Sequence, residues 1–170
     1  QMLFYARSDS VEKDYFVKKV LLEDVVHTAI MNYMDSLIQK KISLDVYNLE
    51  NYVYIDEKWI TFIICQVLQN SIKYLNKPEK VIKIHSENNK NNVVLVIEDN
   101  GEGILDHDLP RVFEYGFTGT DRQKQYSTGI GLYLCKKLCN KMNLDIKIES
   151  QYKKFTKVKI IFPKTNLYRQ

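Results

Sequence analysis

The chain has 170 residues, about 45% of them apolar and 12% aromatic, so it can bury a core and is too apolar for a disordered tail. Lys plus Arg number 25 against 21 Asp plus Glu, a net charge of +4 that suits solubility or an anionic ligand, and the lysines are spread along the chain rather than clustered as in a nucleic-acid binder. No apolar run approaches the roughly 20 residues that cross a bilayer, the opening residues show no charged-then-apolar leader, and three cysteines are too few for a disulfide framework and fit a reducing compartment.

In chain order, residues 1–10 read as the closing turns of a helix, with Leu3 and Tyr5 among polar neighbours. Residues 14–20 read as a short strand. From Leu22 to Lys41, Val26, Ile30, Met34 and Leu37 recur at steps of four, four and three, which predicts one helix. Residues 42–46 and 52–55 read as two strands of a hairpin-like pair joined by the polar run 47–51. A strong helix is expected over 56–75, with Pro78 just beyond its end. Residues 80–86 and 93–98 are β-rich around the turn sequence NNKNN. The alternation EKVIKIHSE predicts a sheet face that is partly wet, and the run VVLVI a more central strand. Residues 105–127 lack clear periodicity and hold Pro110, Gly116 and Gly119; so long an irregular stretch is either functional or disordered. A helix over 128–142 and strands near 144–150 and 155–162 close the chain. This order fits an α/β two-layer sandwich, a mixed sheet with about three helices on one face.

Three segments carry chemistry. On the 56–75 helix, Ile60, Ile63, Ile64, Val67, Leu68, Ser71 and Ile72 form one stripe, which must face the core. Gln66, Asn70, Lys73 and Tyr74 form a second stripe, either a solvated face or a set of ligands. Directly after VVLVI comes Glu98-Asp99-Asn100-Gly101-Glu102-Gly103-Ile104. An acid at a strand end followed by two spaced glycines suits a ligand approached closely by backbone, though an Asn-Gly turn alone would look alike. A carboxylate there could accept an amino group such as that of adenine. Ser127-Thr128-Gly129-Ile130-Gly131-Leu132 opens a helix, where free N–H groups and the positive dipole end can cradle phosphate, or a hydroxyl can simply cap. The spacing is neither GxxxxGK[ST] nor a GxGxxG after the first strand. Cys135 and Cys139, four apart on one helix, read as buried thiols rather than metal ligands.

Taken together and in this order, these segments resemble the catalytic ATP-binding domain (HATPase_c) of sensor histidine kinases, within the GHKL superfamily. QVLQNSIKY resembles the asparagine box, EDNGEGI the first glycine box, RVFEYGF the phenylalanine box within the ATP lid, STGIGLYL the second glycine box and FTKVKIIFP the closing threonine-containing strand. The likeness runs from about Asp14 to Pro163. It is greatest to the intramembrane-sensing, antimicrobial-peptide-responsive kinases of Gram-positive bacteria.

The resemblance implies roles. Asn70 would be the Mg²⁺ ligand, with Gln66 nearby. Lys73 would contact phosphate and Tyr74 pack on adenine; Asn70 and Lys73 would be the catalytic pair. Asp99 would accept the adenine amino group, with Gly101, Gly103 and Ile104 letting the ring approach. Thr128, Gly129, Gly131 and Leu132 would form the phosphate loop, Arg122 and Lys124 would reach the γ-phosphate, and Thr156 would support the Asp99 end. Phe113 and Phe117 would anchor a lid spanning about 105–127. Two positions depart from the pattern: Ser127 stands for the first glycine of its box, and Phe155 stands where glycine often precedes the closing threonine.

Related hydrolases carry a water-activating glutamate four residues before the asparagine. Here that position is Gln66, an amide without useful basicity, which implies a kinase that holds Mg·ATP without efficient hydrolysis. A non-catalytic nucleotide-binding or protein-interaction module on the same fold is the alternative. His27, His85 and His107 lack the context of a phosphoacceptor. Residues 1–13 would then be the remnant of a dimerisation helix and linker, and 14–170 the ATP-binding domain. The implied partners are ATP, the protein's own dimerisation domain in a full-length homodimer, a response regulator and an ABC transporter, with no nucleic acid. The implied setting is the cytoplasmic side of a membrane-anchored protein, and the chain alone is expected to be a monomer unable to phosphorylate itself.

Overall fold

The computed structural model describes residues 15–119 and 129–164. A short strand β1 (Lys18–Leu21) leads directly into α1 (Leu22–Asn32), whose Leu22, Val25, Val26, Ala29 and Ile30 are buried at helical spacing. The single helix expected over 22–41 is two. Tyr33 leaves helical geometry (φ −116°, ψ 12°) and α2 (Met34–Gln39) restarts after it, burying Leu37 and leaving Ile38 exposed. Neither glycine nor proline marks the break, so the apolar spacing runs through it unaltered.

The hairpin-like pair expected at 42–46 and 52–55 does not form. Strand β2 (Ser43–Tyr47) runs parallel to β4 (Val81–Asn88), and β3 (Tyr52–Ile55) pairs antiparallel with β1. The segment between them explains why. Asn48 adopts φ 52°, Leu49 is buried, and the carbonyls of Asn51 and Leu49 accept from Leu22 N (3.0 Å) and Glu23 N (3.1 Å). It thereby satisfies N–H groups at the start of α1, which has no side-chain cap, and leads the chain off the main sheet.

Helix α3 (Glu57–Lys73) buries all seven residues of the expected core stripe, from Ile60 to Ile72. Its N-cap, Asp56, is itself buried. Asp56 Oδ1 accepts from Lys58 N (2.9 Å) and Trp59 N (3.2 Å), while Oδ2 accepts from Phe16 N (2.8 Å), tying the incoming chain to the helix start. Asp56→Ala is expected to cost about 2 kcal/mol of unfolding free energy in a urea titration. Asp56→Asn retains an oxygen for the helix but loses one acceptor, and should recover part of that loss.

Strands β5 (Asn92–Asp99), β6 (Asp145–Gln151) and β7 (Phe155–Pro163) complete a five-stranded mixed sheet in the order β2-β4-β5-β7-β6, with β5 central and buried from Val93 to Ile97. A 3₁₀ turn (Leu109–Arg111) and α4 (Gly131–Lys141) intervene between β5 and β6. With the 22–41 helix split there are four α-helices among the described residues, rather than about three. Ile82, Ile84, Leu95, Ile97, Val158, Ile160 and Ile146 join the helices in one core that includes Cys135 and Cys139. Burial pushes both of those thiols up, Cys139 to about 12, as suits core packing. The opposite sheet face is wet in part: Val94 and Val96 of β5 are buried there, beside charged residues. Register places Asp45, Lys83, Glu98, Lys157 and Glu149 side by side across all five strands, alternating in sign. Among the described residues no helix is long and apolar enough to cross a membrane.

Candidate functional site

The three chemistry-bearing segments meet at one cavity. Asn70, Ser71 and Tyr74 come from the last turns of α3, Asp99 from the end of β5, and Gly103, Ile104 and Leu105 from the loop after it. Gly129, Gly131 and Leu132 come from the start of α4, and Ile148, Thr156 and Val158 form an apolar floor with one hydroxyl. Asp108, Val112, Phe117, Thr118 and Gly119 close the remaining side.

Asp99 is 4% exposed. Its Oδ1 accepts from Gly101 N at 2.9 Å and its carboxylate also bonds the Ser71 side chain. Burial nonetheless dominates: it lifts the Asp99 pKa to about 6, with Glu98 adding to the rise and the Gly101 N–H, Ser71 and Lys77 opposing it. An acid so desolvated at the rim of a cavity is a poised acceptor.

The glycine loop after Asp99 is sewn down at several points. Asn100 Oδ1 accepts from Val81 N (2.9 Å) and its Nδ2 donates to Glu79 O (2.9 Å). Glu102 N donates to Tyr74 O at 3.1 Å, and Lys153 N donates to Glu102 O. A Cβ on Gly101 would lie 2.7 Å from both Asp99 Oδ1 and Tyr74 O. Gly103 has φ 71°, and a Cβ there would run into the carbonyl of Gln151. These two positions therefore need glycine because chain packs directly against them.

Thr156 is the register partner of Asp99 on the neighbouring strand. Its hydroxyl lies 3.3 Å from Ser150 Oγ, which accepts from Ile104 N (2.8 Å) and donates to Phe155 O (2.7 Å). The phenylalanine before Thr156 thus leaves the closing strand intact. Across the cavity, Gly116 N donates to Gly129 O at 3.1 Å, so the two ends of the segment between them touch. A Cβ on Gly129 would sit 2.7 Å from Phe117 N and O.

Of the residues singled out by sequence, Asn70, Tyr74, Asp99, Gly103, Ile104, Gly129, Gly131, Leu132 and Thr156 line the cavity. Gly101 stands just behind Asp99. Lys73 is exposed and holds its Nζ 5.5 Å from the Tyr74 ring centroid. Gln66 is 8% exposed and its Oε1 lies against Gly131. Arg122, Lys124, Ser127 and Thr128 lie outside the described residues. Phe113 packs against the core with Lys136 Nζ 5.6 Å from its ring, whereas Phe117 lines the cavity under the Arg111 guanidinium at 4.4 Å. Sequence reasoning missed Ser71 as a site residue. A hydroxyl inside an otherwise apolar stripe was the available signal. It also missed Asp108, a carboxylate only 5% exposed in the aperiodic segment, where spacing offered no signal. Among the described residues no group of three or more His, Cys, Asp or Glu could hold a metal.

Residues 55–166 match the family described as histidine kinase-, DNA gyrase B-, and HSP90-like ATPase. The chain is 37% identical to the sensor protein BceS of Halalkalibacterium halodurans over 98% of its own length and 49% of that protein's. It is 36% identical to the sensor protein kinase GraS of Staphylococcus aureus over 96% of its length and 47% of that protein's. It therefore spans about half the length of these relatives. Among solved structures, the catalytic domain of histidine kinase ThkA superposes with a TM-score of 0.74 at 20% identity, over 88% of this chain and 98% of that one. The mycobacterial sensor histidine kinase MprB gives 0.74 at 20% identity, over 87% and 97%.

Proposed function

Because the chain belongs to the histidine kinase-, DNA gyrase B- and HSP90-like ATPase family, we propose that it is the catalytic part of a sensor histidine kinase, binding Mg·ATP for transfer to a histidine on a separate dimerisation domain. The observation that carries this is the convergence of Asn70, Asp99 and the Gly129–Gly131 start of α4 on one cavity. The phosphoryl group would pass onward to a response regulator. The similarity to BceS and GraS supports a sensor role; the full protein would be membrane-anchored, with this domain on the cytoplasmic side and an ABC transporter as a partner.

The residues fit such a ligand. Bound Mg·ATP supplies the transferable γ-phosphoryl group. Asp99, desolvated and steadied by Ser71 and Gly101, accepts the adenine amino group, and Tyr74 and the floor of Ile148 and Val158 cover the ring. Thr156, beside Asp99, supports that end through its hydroxyl. Gly103 and Ile104 let the ring approach. Asn70 offers an amide oxygen, a hard ligand of the kind Mg²⁺ prefers. Gly129, Gly131 and Leu132 present backbone N–H groups at a helix start that its N-cap residue, Ile130, leaves without a side-chain cap; by the family resemblance Thr128 would belong to the same phosphate loop. By the family resemblance, Lys73, Arg122 and Lys124 would supply positive charge to the phosphates. Gln66 removes the base a hydrolase needs, so the site favours positioning over water activation.

Two measurements test this. A non-hydrolysable ATP analogue should bind the chain more tightly with Mg²⁺ than without, and Asn70→Ala should abolish that difference, equal losses in both conditions arguing against a ligand role. Mixing the chain with a separate dimerisation domain bearing the acceptor histidine should yield phosphohistidine. Binding without any transfer would instead support a non-catalytic module.

A further inference from the structure

Gln66 and Asn70 stand four residues apart on α3, on one face and one turn from each other. Asn70 lines the cavity; Gln66 is buried outside that lining, with its Oε1 next to the position a Gly131 Cβ would take. A Cβ built on Gly131 would come within 2.7 Å of that oxygen and 3.7 Å of Gln66 Cδ. Gly131 thus borders both the cavity and the Gln66 amide. A terminal amide in solvent would swing aside freely; one that is 8% exposed has far less room to do so.

We propose that Gln66 is a positioning residue: it is the spacer that sets how far the glycine-opened start of α4 stands from the Asn70 face of α3, and so fixes the width of the phosphate end of the site. This rests on the nucleotide reading given above and assigns Gln66 no contact with metal or phosphate. Its amide acts through Gly131. The position that bears a general base in related hydrolases serves here as a strut between two elements. The missing side chain at Gly131 is then half of a matched pair, since a glycine on α4 allows a long amide on α3.

The test is a cycle of four proteins: wild type, Gly131→Ala, Gln66→Ala and Gln66→Ala/Gly131→Ala. Each is titrated with a Mg²⁺-loaded non-hydrolysable ATP analogue and, separately, with adenosine. Gly131→Ala should lose about tenfold or more in affinity for the triphosphate analogue while adenosine binding stays close to wild type. The double variant should recover most of the loss, because the new methyl enters the space the amide vacates. A double variant as weak as Gly131→Ala alone, or equal losses for both ligands, would overturn the proposal. Melting temperatures of the four ligand-free proteins read the same pair without nucleotide: a deficit in Gly131→Ala that the double variant fails to relieve also counts against it. If the wild type bound no analogue, the nucleotide reading would fall, and with it the assigned role at the phosphate end; the melting cycle would still show whether the two residues are coupled. Should Gly131→Ala not fold, Gln66→Asn, which withdraws the amide by one methylene, takes its place. It should weaken the triphosphate analogue and spare adenosine, and equal effects on both would refute the spacer.

Discussion

Asp99→Ala should weaken ATP binding by about ten- to a hundredfold, the worth of a charge-assisted hydrogen bond of roughly 1.5–3 kcal/mol. Titration calorimetry reads this directly, and an unchanged affinity would refute the adenine assignment. The raised pKa adds a second, signed expectation. With its ordinary value at 3.8 and its folded value at about 6, Asp99 binds more protons folded than unfolded between those limits. Its contribution therefore makes the ligand-free protein less stable as pH rises from about 4 to about 6 and is constant above, an effect of about 3 kcal/mol at most. Binding that uses the ionised form must release a proton near pH 6, so affinity should fall as pH drops through 6. Asp99→Asn keeps an acceptor oxygen without the charge. It should raise ligand-free stability at neutral pH and flatten both pH profiles; a pH dependence that survives in this variant would assign the titration to another group.

Gly103→Ala should destabilise the protein by about 3 kcal/mol or more, measured by chemical denaturation. Two costs add there. The left-handed backbone (φ 71°) penalises any Cβ by about 1–2 kcal/mol, and the new methyl would stand 2.8 Å from the carbonyl carbon of Gln151 and 3.0 Å from Tyr152 Cα. Both obstacles are backbone of the β6–β7 turn, which cannot rotate away. Gly116→Ala separates the two costs. Gly116 has φ 75°, and a methyl group there would meet nothing within 4 Å, so only the backbone cost of about 1–2 kcal/mol should remain. Equal losses in the two variants would mean that the Gln151 contact contributes nothing.

Periodicity made the helices and strands legible because each element buries one regular face. The seven-residue stripe on α3 is such a case; the continuous run VVLVI on β5 was legible for a different reason, because a strand buried on both faces is apolar at every position. Partners were less legible. Alternation in β2 and β3 records which side is wet, not which strand lies alongside, and the pairing turns on backbone bonds from the 48–51 segment to α1. Tyr33 breaks a helix without any breaker residue, a tertiary choice that local propensity does not mark. In the site, the ligand classes and the glycines were readable because few residue types serve those tasks. Spacing puts Ser71 in the core stripe, and it is in fact both buried and bonded to Asp99. Angle alone groups Gln66 with Asn70, and angle cannot show that one turn of depth separates a cavity wall from its support.

The row Asp45, Lys83, Glu98, Lys157, Glu149 ends in an acid on both outermost strands. Two molecules approaching edge to edge about a twofold axis through Glu149, or through Asp45, would set carboxylate against carboxylate where the row ought to continue. Among the described residues, an odd number of strands with alternating charge thus sets like against like at both borders, which disfavours symmetric extension of the sheet.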